Sequence, residues 1–100
     1  MQSLQWQGAM RSNDKFLKIV EMYPDETFTI ADGFDDAIIG VDEENGKVVY
    51  DIDEIINILI QEDMTEEEAV EYYEYNIVGS YVGEKTPIFI RLLKNYETNW

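Results

Sequence analysis

Cysteine and histidine are both absent from this chain of 100 residues. The absence of cysteine excludes disulfides, thiolate metal sites and cysteine nucleophiles, and is typical of proteins from a reducing compartment. The absence of histidine removes the commonest general base and the commonest ligand of transition metals, so a structural zinc site is excluded. Catalysis would have to rely on carboxylates, tyrosines or lysines. We therefore predict that the protein is not an enzyme and that it binds no cofactor and no metal.

Long hydrophobic segments are missing as well. The longest apolar stretches, such as 58–60, fall far short of the roughly 18 residues that a membrane span needs. The first residues show no basic start followed by an apolar run, as a secretion signal would. We expect a cytoplasmic protein that binds no membrane. Apolar residues nevertheless make up 45% of the chain, enough for a modest core in one domain over residues 1–100, with 1–11 expected to be flexible.

Basic residues are few, and acidic residues dominate. The net charge is −15, and residues 19–84 hold twenty of the 22 acids with a single base, Lys47. Such a surface repels nucleic acid and anionic membranes and attracts basic partners. Simple solubility would explain the same composition, so both interpretations stay open.

The spacing of apolar residues predicts three helices. The first carries a stripe at i, i+3, i+4 and i+7 that ends at Pro24. The second begins at Asp51 with Glu54 three residues later, and the third begins at Thr65 with Glu68 in the same relation. Both pairs match a capping box, in which each side chain bonds to the other residue's backbone N–H.

The stretch "DAIIGVDEENGKVVYD" predicts a β-hairpin over residues 37–50. Its turn falls at Asn45-Gly46, a favoured pair because both residues tolerate positive φ. Gly40 suggests either a bulge in the first strand or a close approach of another backbone. "PIFIRLL", residues 87–93, predicts a last strand. The order of elements favours an α+β fold, in which three helices pack on a small antiparallel sheet made of the hairpin and the C-terminal strand.

Two groups of residues are candidates for binding. Because acids on exposed turns and helix starts would attract a basic partner, we predict a partner-binding surface made of seven residues. These are Asp42, Glu43 and Glu44 of the hairpin, and Glu66, Glu67, Glu71 and Glu74 of the third helix. A calcium loop is not indicated, because no acid lies five residues before Gly46.

The stretch "VEYYEYN" suggests a second, alternative site. At helical spacing Tyr72, Tyr75 and Asn76 share one side, while Tyr73 faces the apolar stripe. Together with Tyr81, Tyr72 and Asn76 could bind a small molecule or a nucleotide. No glycine-rich phosphate loop of standard spacing supports the nucleotide.

The segments "FDDAIIGV", "VVYD" and "EEAVEYYEYNIVGSYVGEKTPIFI" resemble small acidic proteins of tailed phages and prophages, a group without an assigned activity. The resemblance covers roughly residues 34–90. It implies an accessory protein of the bacterial host cytoplasm that acts on host components, and it offers no catalytic residues to carry over.

These observations lead to one main hypothesis and two alternatives. The main hypothesis is a non-enzymatic protein that binds a basic, nucleic-acid-binding host protein, without touching nucleic acid itself. It would inhibit host or defence machinery, for instance by imitating DNA during host takeover. The alternatives are a protein that sequesters a small molecule or nucleotide, and a phage structural protein that assembles as a homo-oligomer.

Overall fold

The computed structural model describes residues 15–78 and 83–96, apart from the side chain of Asn95. Within these ranges the chain forms three α-helices and three strands. They are α1 (Lys15–Met22), β1 (Ile38–Asp42), β2 (Lys47–Asp51), α2 (Ile52–Gln61), α3 (Glu66–Tyr72) and β3 (Ile88–Ile90). A 3₁₀ turn (Asp35–Ala37) precedes β1, a π-helical turn (Tyr73–Ile77) continues α3, and a second 3₁₀ turn (Leu93–Tyr96) follows β3. The α+β class and the three helices are confirmed.

The sheet is mixed, and the prediction of a fully antiparallel sheet was wrong. β1 and β2 pair antiparallel, but β3 pairs parallel to β2, with Val49 opposite Ile88 and Asp51 opposite Ile90. The reason lies in the long connection between β2 and β3, which contains two helices and returns the chain to the end where β2 began. The last strand is also shorter than the predicted 87–93, since only Ile88–Ile90 pair.

The hairpin is confirmed, but its turn is longer than predicted. Asp42 pairs with Lys47, so four residues form the loop, and the N–H of Gly46 donates to the carbonyl of Asp42 at 2.8 Å. Gly46 alone in this loop has positive φ, at 68°. The bulge predicted at Gly40 is present, because Ile38 pairs with Tyr50 and Gly40 with Val49, which leaves Ile39 as an extra residue.

The core lies on one face of the sheet. Val48 and Tyr50 point to this face and are fully buried, and Tyr50 stacks on Phe89 of β3 at 5.5 Å between ring centroids. Tyr50 is also hydrogen-bonded, since the N–H of Ala31 donates to its hydroxyl at 2.8 Å. Burial raises the pKa of Tyr50 well above its ordinary value. The helices contribute most of the remaining core: Ile19 from α1, Ile55, Ile56 and Leu59 from α2, Ala69 from α3, and Tyr73 and Ile77 from the π-helical turn. Phe34 and Ala37, from the segment that leads into β1, and Ile38, the first residue of β1, complete it.

Local hydrogen bonds set the helix boundaries. The capping box of α3 is confirmed: the N–H of Glu68 donates to Thr65 Oγ1 at 3.1 Å, and the N–H of Thr65 donates to Glu68 Oε1 at 2.9 Å. Asp51 caps α2 as predicted, but its side chain accepts from the N–H of Asp53 at 3.0 Å and not from that of Glu54, so the capping box predicted for this pair was wrong. After α2, Asp63 adopts the left-handed conformation, with φ of 77°, and stops the helix from continuing.

Candidate functional site

α3 and the π-helical turn that continues it carry four exposed glutamates. Ala69, Tyr73 and Ile77 recur every fourth residue and are buried against the core, so the opposite side of this segment faces solvent. The four glutamates predicted on this helix are all exposed: Glu66, Glu67, Glu71 and Glu74. We call these four residues the acidic face.

The acidic face is not neutralised by its neighbours. Among residues 15–78 and 83–96, none of its four carboxylates has a hydrogen-bond or ion-pair partner. Ion pairs form elsewhere, where Lys85 Nζ lies 2.9 Å from Glu26 and Arg91 lies 2.9 Å from Asp53. The carboxylates of the acidic face therefore remain available to a positively charged partner.

The hairpin acids have different surroundings. Asp42 Oδ2 accepts from the side-chain amide of Asn45 at 2.9 Å, and this bond lowers the pKa of Asp42. Glu43 Oε2 accepts from the hydroxyl of Tyr23 at 2.7 Å, a bond that raises the pKa of Tyr23. Glu44 is exposed at the tip of the loop. Two of the three predicted hairpin acids thus hold the loop in place.

A lysine lies beside the hairpin loop. Lys85 Nζ donates to Glu26 at 2.9 Å and to the carbonyl of Thr27 at 2.7 Å, and it lies 5.6 Å from the ring centre of Phe28. A Cβ on Gly46 would lie only 3.1 Å from the same Nζ. The loop therefore has a positive charge next to it, and the seven predicted acids fall into two groups with different electrostatic surroundings.

A shallow groove of about 420 Å³ runs along the same part of the chain as the acidic face. It is lined by Met64, Glu68, Glu71, Tyr72, Tyr75 and Asn76. We call it the tyrosine groove. The structure thus brings Tyr72 and Asn76 together, as predicted, while Tyr81 lies outside the described residues. Partial burial, and then the charge of Glu62, raise the pKa of Tyr72. As predicted, Tyr73 points inward, with its ring centre 5.9 Å from that of Phe89.

Four residues that line this groove are not in the predicted ligand site: Met64, Glu68, Glu71 and Tyr75. Tyr75 is 79% exposed and forms one wall, and Glu68 lines the groove although its side chain also caps the helix. The helical spacing of 68, 72 and 75 is a signal that could have placed them there.

Neither a cluster of metal ligands nor a membrane-spanning helix is found in the part of the chain that the structure describes. Within the described ranges, no group of three or more acidic side chains lies close enough to hold a metal ion. In the same ranges, no helix is both long enough and apolar enough to cross a bilayer. No known family, no curated protein and no solved structure matches this chain.

Proposed function

We propose that this chain is a non-enzymatic, phage-type accessory protein that binds a basic host protein through the acidic face and the adjoining Tyr75. The observation that supports this proposal is the coexistence, along α3 and the π-helical turn, of four carboxylates without a partner among the described residues and a tyrosine that is 79% exposed. Arginine suits such a surface, because its guanidinium bonds carboxylates in pairs and stacks on aromatic rings. Tyrosine is also enriched among the residues that dominate protein–protein affinity.

The acidic face favours a basic protein surface over close imitation of DNA. Glu67, Glu71 and Glu74 follow each other at four and three residues, which is about 6 and 4.5 Å along a helix axis at 1.5 Å per residue. Duplex DNA carries a charge about every 1.7 Å of axis. DNA imitation is the narrower version of this proposal, and it requires acids from other parts of the chain.

The test is a comparison of two charge-reversed variants in a pull-down from bacterial lysate. In one variant Glu71→Lys and Glu74→Lys alter the acidic face. In the matched control Glu21→Lys and Glu84→Lys cause the same change in net charge, at exposed positions that have no partner among the described residues. Retained proteins are identified by mass spectrometry after washes at low and at high salt.

We expect the wild type and the control to retain the same basic, nucleic-acid-binding protein, and high salt to release it. The affinity of the purified pair should fall about tenfold in the acidic-face variant, because attraction at two positions becomes repulsion. Equal retention by both variants would show that the acidic face is not the binding surface. If both variants lose the partner equally, binding depends on net charge alone and not on the acidic face.

The tyrosine groove supports a second candidate, a small-molecule or nucleotide binder that uses Tyr72 and Asn76. A ligand that binds only the folded chain raises its melting temperature with the logarithm of concentration over Kd. This candidate predicts that at least one nucleotide or metabolite in a broad screen raises the melting temperature of the wild type. The same compound should not raise the melting temperature of a Tyr72→Ala variant. If no compound in the screen raises the melting temperature of the wild type, the small-molecule candidate loses its support.

A further inference from the structure

A second groove, of about 760 Å³, lies between α1 and the free edge of β1. Three lysines stand around it: Lys15 and Lys18 from α1, and Lys94 from the 3₁₀ turn after β3. Its remaining walls are largely aliphatic and include Met22, Ile39 and Leu92. We call it the lysine groove.

The lysine groove concentrates positive charge in a protein with very little of it. The described residues include six bases, and three of them line this groove. Lys15 Nζ donates to the carbonyl oxygen of Asp36 at 2.8 Å. Across residues 15–78 and 83–96, Lys18 and Lys94 have no hydrogen-bond or ion-pair partner, although 22 acids are present in the chain. Two ammonium groups are therefore available for a negative ligand.

The bulge in β1 gives the groove its apolar surface. Ile39, the extra residue of the bulge, is 40% exposed, and Met22 across the groove is 59% exposed. Gly40 adds open space, since a Cβ at this position would have no atom within 4 Å. Two large apolar side chains thus remain in contact with water beside two lysines that have no partner among the described residues.

Charge and shape together select the kind of occupant. The Coulomb energy scales with the product of the two charges, so a second copy of this chain, at −15, would be strongly repelled, whereas a monoanion would not. The described lining contains no aromatic ring on which a nucleobase could stack. The volume lies within the range of about 300–1,000 Å³ that is typical of small-ligand sites.

We infer that the lysine groove binds a small amphiphilic anion, with one negatively charged head group on a long apolar chain, of which a long-chain carboxylate is the simplest. The head group lies against Lys18 and Lys94, and the chain covers Met22 and Ile39. This inference is independent of the proposed function, because it concerns a different surface and different residues.

The test is a fluorescence titration of the full chain with dansyl-labelled undecanoate, followed by displacement with unlabelled dodecanoate. Dodecyltrimethylammonium, which has the same apolar chain and the opposite charge, serves as the ligand control. The site variant is Lys18→Gln with Lys94→Gln. The matched protein control is Asn57→Glu with Gln61→Glu, which lowers the net charge equally at exposed positions of α2. Circular dichroism confirms that all variants are folded.

We expect saturable binding of the probe, displacement by dodecanoate but not by the cationic amphiphile, and a loss of about five- to tenfold in affinity in the lysine variant only. Met22→Gln keeps the length of the side chain and its helix propensity. It should lower the affinity for the probe about two- to threefold, because part of one apolar contact is lost. Absence of saturable binding below about 1 mM would overturn the inference. Equal affinity in the lysine variant and the wild type would overturn it too, as would equal displacement by both amphiphiles.

Discussion

The hairpin loop and α3 carry the same kind of residue in opposite situations. In the loop, Asp42 and Glu43 accept hydrogen bonds from Asn45 and Tyr23, and a lysine lies nearby. On α3, the four glutamates of the acidic face have no partner within the described residues. From the sequence alone both groups belonged to one predicted surface.

This difference separates structural acids from acids that are available for binding. A carboxylate that accepts a hydrogen bond within the fold contributes to stability and is partly shielded from a partner. An unpartnered carboxylate contributes little to stability and can contribute its full interaction to a complex. We therefore expect changes in the loop to alter the free energy of unfolding, and changes in the acidic face to alter affinity.

The largest expected effect on stability comes from Gly46→Ala in the loop. Gly46 has φ of 68°, a conformation that costs most residues with a side chain about 1–2 kcal/mol. The added Cβ would also displace Lys85, whose Nζ would lie 3.1 Å away. Urea unfolding should show a loss of that size, whereas Tyr75→Ala on the exposed surface beyond α3 should change the free energy of unfolding by no more than about 0.5 kcal/mol.

Gly46→Asn separates the two causes of this loss. Asparagine tolerates the left-handed region better than alanine does, yet it also adds a Cβ. A smaller loss for asparagine than for alanine would identify backbone strain as the main cause. If Gly46→Ala and Tyr75→Ala lower the free energy of unfolding equally, the loop is no more tightly held than the exposed surface around Tyr75, and the comparison fails.

The features that sequence reasoning predicted correctly depend on residues close together in the chain. The capping box joins Thr65 and Glu68, three residues apart, and the bulge needs only a glycine at position 40 within a strand. Both follow from local backbone chemistry. The inward orientation of Tyr73 likewise followed from helical periodicity.

The features that it missed depend on residues far apart. The direction of β3 depends on how a connection of two helices returns to the sheet, and no local pattern encodes it. The bond from Tyr23 to Glu43 joins residues 20 positions apart, and the lysine groove combines α1 with the segment after β3. Sequence periodicity identifies faces of elements, but it does not show which faces meet.

A smaller effect is expected from Thr65→Ala, which removes one half of the capping box. The N–H of Glu68 would lose its acceptor, and loss of such a cap typically costs about 1 kcal/mol. Thr65→Ser keeps the hydroxyl and should recover most of the stability. Urea unfolding measures both variants.

Two further variants, Glu68→Ala and Glu71→Ala, test the same comparison within α3. Glu68 belongs to the cap, whereas Glu71 does not, so Glu68→Ala should lower stability and Glu71→Ala should not. An equal cost for both would mean that the acidic face also stabilises the helix, and the division between structural and available acids would not hold within α3.

The smallest expected effect comes from Tyr23→Phe, and it depends on pH. The hydrogen bond to Glu43 raises the pKa of Tyr23 in the folded chain, because that bond needs the protonated hydroxyl. A group whose pKa is raised on folding adds stability below its ordinary pKa, about 10 for tyrosine, and loses it as the pH rises through the folded value. Wild type should therefore be slightly more stable than Tyr23→Phe at pH 7–9, by a difference that shrinks above about pH 10.

Only the difference between the two proteins isolates this bond. The pKa values of Tyr50, Tyr72 and Tyr73 are also raised, chiefly by burial, so both proteins should lose stability at alkaline pH. Urea midpoints measured in parallel from pH 7 to about 11 cancel this shared loss. If wild type and Tyr23→Phe have the same urea midpoint across that range, the bond to Glu43 adds no stability. Tyr23 would then hold the loop only through its ring, whose centroid lies 6.3 Å from that of Phe28, and Glu43 would be as available to a partner as the glutamates of the acidic face.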